Sequence, residues 1–361
     1  MKRTKFYDVH RKFGAKIIEY AGFEMPVQYT SIIAEHNSVR NSVGIFDVSH
    51  MGEVFVSGKE ALDFVQEITV NDVSKLYPGK VQYSAMCYPD GGIVDDLLVY
   101  RIDETEFMLV INAANTNKDF EWMKSNNSKG VKIENRSDEY SLLAVQGPNS
   151  KRVVQKLTNA ELDKLEYYNF IKVKIEGIDI ILSRTGYTGE LGYELYFTGD
   201  EHEAEELWNM IFSAGKEFGI QPLGLAARDS LRLEMGYCLY GNDIDQTTNP
   251  LEARLGWITK LNKEKFIGKE ALSEIKLKGV RRKLSGLISD QRVFPRHGYE
   301  ICSNGKKIGY VTSGTVSPVL EQPIALGYIE TAYSSVGSEV EISIRGKKIP
   351  VKVAKIPFIK K

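Results

Sequence analysis

The chain is poor in the residues that most often announce a function by themselves. Its 361 residues include only three cysteines and five histidines. Cys87, Cys238 and Cys302 lie far apart with no CxxC spacing, which argues against a disulfide framework or a zinc ribbon and fits a reducing compartment. His10, His36, His50, His202 and His297 form neither an HxH nor an HExxH group, so no metal site is expected. Net charge is nearly absent as well. Forty-seven Lys and Arg against 48 Asp and Glu leave −1, which gives no electrostatic reason to expect nucleic acid as a partner. No apolar run approaches the ~20 residues that span a bilayer. Met1-Lys2-Arg3-Thr4-Lys5-Phe6-Tyr7 is not followed by the apolar region of a signal peptide. Neither an internal repeat nor a low-complexity tract is present. These absences point to a soluble cytoplasmic protein with no membrane or nucleic-acid partner. Its length and 42% hydrophobic content suffice for two or three globular domains.

What is present centres on Pro89-Asp90-Gly91-Gly92-Ile93-Val94-Asp95-Asp96-Leu97-Leu98-Val99-Tyr100. Pro-Asp-Gly-Gly is turn chemistry, and the apolar, β-branched run after it reads as a strand. Alternation puts Val94, Asp96, Leu98 and Tyr100 on one face, and Ile93, Asp95, Leu97 and Val99 on the other. Both faces are mainly apolar, so the strand is expected to be covered on both sides while carrying two carboxylates. A buried carboxylate is costly unless it is hydrogen-bonded, paired or neutralised. Asp95 and Asp96 point apart and form no shared-proton dyad. One reading ties one of them to backbone amides and leaves the other in a lined cavity, suited to proton work. The other reading has both simply fastening the turn.

In residues 6–20, His10 reads as a surface or capping residue. Residues 22–29 read as loop or edge strand, closed to helix by Pro26. Residues 30–40 read as a helix capped by Ser31, with Ile32, Ile33, His36 and Val39 near one face and His36 as a core histidine. Residues 44–56 resemble one strand broken by a Ser49-His50 bulge. Residues 59–68 form a short amphipathic helix on Ala61, Leu62, Phe64 and Val65. The run 81–88 should pair with 93–101 across the turn; 107–112 is a third strand and 114–125 a helix. Residues 142–148 make a strand-to-turn, and 173–182 a hairpin.

The loop Gly186-Tyr187-Thr188-Gly189-Glu190-Leu191-Gly192 has GxxGxxG spacing but opens into an alternating strand, whereas phosphate loops open into a helix, so that reading is rejected. In the strand, Tyr193, Leu195 and Phe197 share one face and Glu194 and Tyr196 the other; pattern alone makes Glu194 a solvated strand residue. Helices are predicted over 203–218 and 225–235, the second stopped by Gly236. Arg228 and Arg232 share a face there, beside Asp229 and Glu234, as surface ion pairs do. Residues 237–262 are turn-rich, with 249–257 a packed junction, and 276–283 reads as a basic linker. Beyond it, Asn304-Gly305 and Arg345-Gly346 each separate two strands, and the last ~85 residues should form a small β-barrel or sandwich.

Taken together, several motifs carry a resemblance. They are Glu35-His36-Asn37-Ser38-Val39-Arg40, Phe46-Asp47-Val48-Ser49-His50-Met51-Gly52-Glu53, Gly91-Gly92-Ile93-Val94-Asp95-Asp96, Arg184-Thr185-Gly186-Tyr187-Thr188-Gly189-Glu190-Leu191-Gly192-Tyr193-Glu194 and Ala227-Arg228-Asp229-Ser230-Leu231-Arg232-Leu233-Glu234. In this order, from about Phe6 to the C-terminal region, the chain resembles the glycine-cleavage T-protein family of tetrahydrofolate-dependent aminomethyltransferases. The resemblance implies an α+β, three-domain, cloverleaf-like folate-binding fold with a C-terminal all-β barrel. Residues 1–50 and 140–275 would build a split first domain, 51–139 the second and 280–361 the barrel.

The implied reaction is attack of tetrahydrofolate N5 on the aminomethyl group carried by the lipoyl arm of a partner H-protein, giving 5,10-methylenetetrahydrofolate, ammonia and the dihydrolipoyl carrier. The resemblance makes Asp96 the catalytic carboxylate. It places Glu194 at the pterin edge, since a carboxylate accepts two hydrogen bonds from an aminopyrimidinone. Arg228 is implied for an anionic tail or bridging carboxylate. Tyr83, Tyr100, Tyr168, Asn112 and Met51 are implied around the rings. Tetrahydrofolate enters as one-carbon acceptor, and no metal is implied. The chain departs from the family at its end, where Pro357-Phe358 is followed by Ile359-Lys360-Lys361 in place of the common aromatic residue. Related readings are a non-catalytic folate sensor or an iron–sulfur assembly helper. The helper's Lys-Gly-Cys-Tyr-Thr-Gly loop is here Arg184-Thr185-Gly186-Tyr187-Thr188-Gly189, without the cysteine.

Overall fold

The structure, a computed structural model, describes residues 1–360; Lys361 lies outside the described residues. The chain divides into two compact units. The first comprises Met1–Val65, Val73–Gln82 and Leu97–Asp229, and the second Gln66–Asp72, Tyr83–Asp96 and the chain from Ser230 onward.

In the first unit a six-stranded sheet runs in the order Phe170–Ile175, Ile178–Ser183, Gly192–Thr198, Tyr140–Gln146, Gly44–Asp47 and Gln221–Leu223. Tyr193, Leu195 and Phe197 send their side chains into the core with Leu143, Val145 and Trp208, as the alternation anticipates. The helix Glu201–Gly215 covers that core and starts at a capping box, in which Asp200 accepts from Glu203 N while the Glu203 carboxylate accepts from Asp200 N.

Several local expectations are corrected in this unit. His10 is fully buried; its Nε2 bonds Asp47 at 2.9 Å and its Nδ1 bonds the Tyr29 hydroxyl at 2.8 Å. Those partners come from distant segments, which local pattern does not show. Residues 23–28 form the central strand of a three-stranded sheet, not a loop or edge. Pro26 is tolerated because the neighbouring strand Lys2–Arg3 reaches only Phe23 and Glu24. Ser31 caps the helix Ile32–Asn41, accepting from Ala34 N at 3.2 Å, but Ile32 and Ile33 are exposed. The buried face holds Glu35, His36, Val39 and Arg40 instead. Glu35 is drawn in because its carboxylate accepts from Tyr29 N, Thr30 N and Gly224 N at 2.7–2.9 Å. Ser49-His50 is not a bulge. Gly44–Asp47 and Gly52–Ser57 belong to different sheets, and the polar segment is the crossing between them.

Gly52–Ser57 lies between Glu106–Ile111 and Lys132–Asn135 in a second sheet, whose order is Val81–Cys87, Ile93–Arg101, Glu106–Ile111, Gly52–Ser57, Lys132–Asn135. The turn joining its first two strands closes with Tyr88 N donating to Gly92 O at 2.8 Å. Gly91 has φ +90°, and a Cβ on Gly92 would lie 2.2 Å from the Gln246 carbonyl, so both glycines are required.

The second unit ends in a closed six-stranded barrel, ordered Arg282–Ile288, Pro323–Glu330, Lys306–Val316, Glu300–Ser303, Glu339–Ile344 and Lys347–Ala354. Its two tight hairpins have positive φ at Asn304 and Gly305 and at Arg345 and Gly346, as type I′ turns require. The expected basic linker over 276–283 is reduced to residues 279–281. Lys276 and Lys278 occupy the last turn of the helix Lys269–Lys278, where they oppose its C-terminal dipole, and Arg282 opens the barrel while bonding Glu252 through two nitrogens at 2.9 and 3.2 Å. Arg232 is not on the surface. It is wholly buried and bonds Asp243 at 2.6 Å, Tyr237 O and Ser313 Oγ at 2.9 Å each. Residues 249–257 pack as expected through Ala253 and Leu255, but Trp257 itself is 64% exposed. Cys87, Cys238 and Cys302 are buried thiols that form no disulfide.

A buried lysine fastens the segment 66–72. The Lys263 ammonium donates to Gln66 O, Thr69 O and Asn71 O at 2.5–2.8 Å, and burial pulls its pKa down to about 7. Three carbonyls would lose their donor in Lys263→Met. We expect that variant to unfold at lower urea, with a stability loss of about 2–3 kcal/mol, the cost of orphaning groups held by a charged donor. An unchanged midpoint would show that the carbonyls find other partners.

Candidate functional site

In the second unit Asp96 is half-buried, and its Oδ2 accepts from the Tyr83 hydroxyl at 2.9 Å. The Tyr83 ring in turn lies 6.1 Å from that of Trp257, inclined at 34°. Asp95, on the opposite face of the same strand, is fully buried. The strand therefore splits its two carboxylates as alternation requires, with the more accessible one beside a phenol.

In the first unit the site is built around Glu194. It is not the solvated strand residue that pattern suggests. The Thr185 hydroxyl donates to its Oε2, the Tyr196 hydroxyl lies 3.5 Å from the same oxygen, and Tyr196 bonds Tyr100 at 3.0 Å. Tyr100 reaches Ser183 Oγ at 3.1 Å and Thr185 Oγ1 at 3.3 Å, so the two hydroxyls that touch the carboxylate oxygen are themselves held by two more. Burial pushes the Glu194 carboxyl above its ordinary range, opposed by the Thr185 hydrogen bond and the Arg228 charge. Burial likewise pushes both phenols up, Tyr100 beside Glu194 and Tyr196 beside Glu194 and Tyr100, so they stay neutral donors. The Arg228 guanidinium sits 4.9 Å above the Tyr187 ring, a cation–π pair that holds it in place.

The glycine loop is shaped by a side chain, not by phosphate. Cβ atoms on Gly186 and Gly192 would come within 2.1 and 2.2 Å of the Gln146 amide. That amide accepts from Thr188 Oγ1 at 2.9 Å and donates to Thr185 O at 3.2 Å. Gln146 thus fixes Thr185, and Thr185 presents its hydroxyl to Glu194.

The other expected residues are placed as follows. Tyr168 is half-buried with φ +60°, its NH donating to Arg184 O at 3.0 Å and its ring edge-on to Tyr167. Asn112 is half-buried and ends the strand Glu106–Ile111, its carbonyl accepting from Asn115 N. Met51 is half-buried in the turn after His50, its NH donating to Val48 O at 3.1 Å. Sequence reasoning missed Thr185, Tyr187, Tyr196 and His50 as site residues. Tyr196 was legible in the alternation that puts it on the face of Glu194; His50 was marked only by the polar Ser49-His50 insert, read as a bulge that could aim a side chain at a cavity. His50 is buried edge-on to Tyr20 at 5.6 Å, its Nδ1 has no hydrogen-bond partner among the described residues, and burial, with Arg228 nearby, drives its pKa down to about 3. It is a neutral imidazole at working pH. Among the described residues there is no group of three or more His, Cys, Asp or Glu able to hold a metal ion, and no helix is long and apolar enough to cross a membrane.

Comparison with known proteins now defines the class. Residues 6–263 match the family described as "GCVT N-terminal domain", and residues 282–360 match "Glycine cleavage T-protein C-terminal barrel domain". The chain is 50% identical to an aminomethyltransferase of Halothermothrix orenii, over 99% of this chain and 100% of that one. It is 47% identical to an aminomethyltransferase of Bacillus subtilis, over 100% of each. The crystal structure of the glycine cleavage system aminomethyltransferase T from Bartonella henselae superposes with a TM-score of 0.92 at 34% identity, covering 99% of this chain and 98% of that chain. The chain therefore belongs to the glycine-cleavage T-protein family, the aminomethyltransferases. The α+β fold with its C-terminal barrel agrees with that membership.

One buried carboxyl breaks the pattern of partnered charges. Glu53 is 1% exposed, and neither carboxyl oxygen has a hydrogen-bond partner among the described residues. Burial raises its pKa well above the ordinary range, so it is held protonated. An acid whose folded pKa is raised contributes stability fully below its unfolded pKa, near ~4.3, and loses it as pH climbs toward the folded pKa. Glu53→Gln removes that titration. The melting temperature of the variant relative to the unmodified protein should rise steadily from pH 5 to pH 8; a constant difference would mean that Glu53 is ionised in the fold.

Proposed function

We propose that this chain is the aminomethyl-transferring component of a glycine-cleaving system, with tetrahydrofolate as one-carbon acceptor and the lipoylated H-protein as donor. Full-length identity to proteins named aminomethyltransferase supports the activity. The assignment of Asp96 is supported within its own unit by a half-buried carboxylate paired with a phenol donor, and that of Glu194, separately within the other unit, by a carboxylate held by the Thr185 and Tyr196 hydroxyls. A cytoplasmic, soluble protein fits this role. The division into a split first domain (1–50 and 140–275), a second domain (51–139) and the barrel (280–361) is our reading of the sheets. All strands of the six-stranded sheet come from the first set, and Gly52–Ser57 with Lys132–Asn135 come from the second.

In this reading the methylene leaves sulfur and nitrogen of the carrier's aminomethyl thioether and joins N5 and N10 of the folate. The two folate N–H protons balance the thiol and the ammonia that are released. Asp96 is assigned to accept or steer the N5 proton and to stabilise the cationic iminium that forms. Tyr83, through its hydrogen bond to Asp96, orients that carboxylate. Glu194 is assigned to the pterin amino–imino edge, where two parallel hydrogen bonds fit a carboxylate. Thr185 and Tyr196 hold it in position. Arg228 is assigned to an anionic group of the folate, its planar face already backed by Tyr187. Tyr100, Tyr168, Asn112 and Met51 are assigned to the ring surroundings. No nucleophilic Ser or Cys is needed, because release of ammonia depends on protonation and charge stabilisation.

Two substitutions separate these roles. Asp96→Asn should leave folate binding within a few-fold and cut ammonia release from an aminomethyl-loaded carrier by about two or more powers of ten, as loss of a proton-transfer group does. Glu194→Gln should weaken folate binding roughly tenfold to hundredfold, the worth of one or two charge-assisted hydrogen bonds. Turnover that survives Asp96→Asn removes Asp96 from the chemistry, and unaltered folate affinity in Glu194→Gln removes Glu194 from the pterin.

A further inference from the structure

Trp257 is one of the largest apolar side chains left in water, at 64% exposure, and its exposure is not that of a loose loop. Ala253, Leu255 and Ile258 on either side are buried. The turn is closed by Leu255 N to Pro250 O at 2.8 Å and Ile258 N to Leu255 O at 3.2 Å, and Lys260 Nζ caps the Trp257 carbonyl at 2.6 Å. A rigid support thus holds an indole outward. Single exposed apolar residues are ordinary; this one is distinguished by what it borders. Its ring adjoins that of Tyr83 at 6.1 Å, and the Tyr83 hydroxyl donates to Asp96 at 2.9 Å. Indole, phenol and carboxylate follow one another within the second unit.

That succession matches a ligand with a cationic end and an apolar stem. A carboxylate takes an ammonium by a charge-assisted hydrogen bond, a phenol or indole face attracts the same cation, and an indole covers methylene groups that would otherwise stay hydrated. An anionic tail, by contrast, is opposed by Asp96. We propose that Trp257 is a positioning residue for the carrier's aliphatic arm, holding its methylene stem while the aminomethyl end lies at Tyr83 and Asp96. This proposal rests on the reading of the protein as an aminomethyltransferase, and it adds a specificity residue for the carrier substrate.

The test compares Trp257→Ala and Trp257→Phe with the unmodified protein. With tetrahydrofolate saturating, Trp257→Ala should raise KM for the aminomethyl-loaded lipoyl carrier about tenfold while kcat stays within a few-fold. Trp257→Phe should recover most of that loss, and the folate Kd should move less than twofold. An unchanged carrier KM overturns the proposal. A weakened folate Kd with an intact carrier KM overturns it too, by assigning the indole to the folate. Equal weakening for a carrier that lacks its lipoyl group does the same, by placing the contact on the carrier's body.

A second readout needs no turnover. Free lipoamide disulfide should quench the unmodified protein more than Trp257→Phe, because the buried Trp208 and half-buried Trp122 are common to both and the exposed indole is present in the first alone. No difference in quenching between the two overturns the arm contact. If the unmodified protein releases no ammonia from loaded carrier while that quenching persists, the proposed activity fails and the arm contact stands.

Discussion

A carboxylate removed from water must be answered by donors, and this molecule meets that demand with donors from remote parts of the chain. Asp47 is pushed up by burial but held below its ordinary range by His10, Ser49 and Thr4, whose donors lie at 2.6–2.9 Å. Glu35 draws together the amides of Tyr29, Thr30 and Gly224. Asp243 collects Arg232, Thr312, Ser313 and Leu239 N. Glu234 accepts from Ser317 Oγ and Val319 N. Each of these groups joins segments from about 10 to nearly 200 residues apart, so misplacing one partner leaves a buried charge uncompensated, at a cost of about 3–5 kcal/mol. Specificity of the fold resides in these joints as much as in its apolar cores.

The same rule shapes the candidate site by being relaxed there. Glu194 is offered hydroxyls, which are weaker than a full ion pair, and an arginine that another ring already backs. Such a carboxylate is oriented without being consumed by a full ion pair. His50, neutral despite its neighbours, adds no charge to compete. In the role proposed for Glu194, such preorganisation would leave little reorganisation for ligand binding.

Much of this was readable in advance where the signal is local. Both barrel hairpins follow from Asn304-Gly305 and Arg345-Gly346, because positive φ at adjacent residues has few other solutions. The alternation of Ile93–Arg101 placed its two aspartates on opposite faces, and the strand after Gly192 excluded a phosphate loop. Three of the failures share one physical cause. His10, Arg232 and Glu194 carry polar side chains whose partners lie 37, 11 and 9 residues away, and local composition marks such residues as solvated until the partners are known. The basic run 276–283 failed for a different reason. Lysines suit the end of a helix as well as a linker, and only the apolar spacing of Leu272 and Ile275 before them distinguishes the two.

The placement of the cysteines gives the molecule a built-in reporter. All three thiols lie in the second unit and all are buried, with burial pushing Cys87 and Cys238 well above the ordinary thiol range. The first unit, by far the longer stretch of chain before Ser230, has none. A disulfide-forming reagent added to the native protein meets only buried thiols, so its reaction reports opening of the second unit. A single cysteine introduced on the surface of the first unit can be labelled while the three buried native cysteines are left in place.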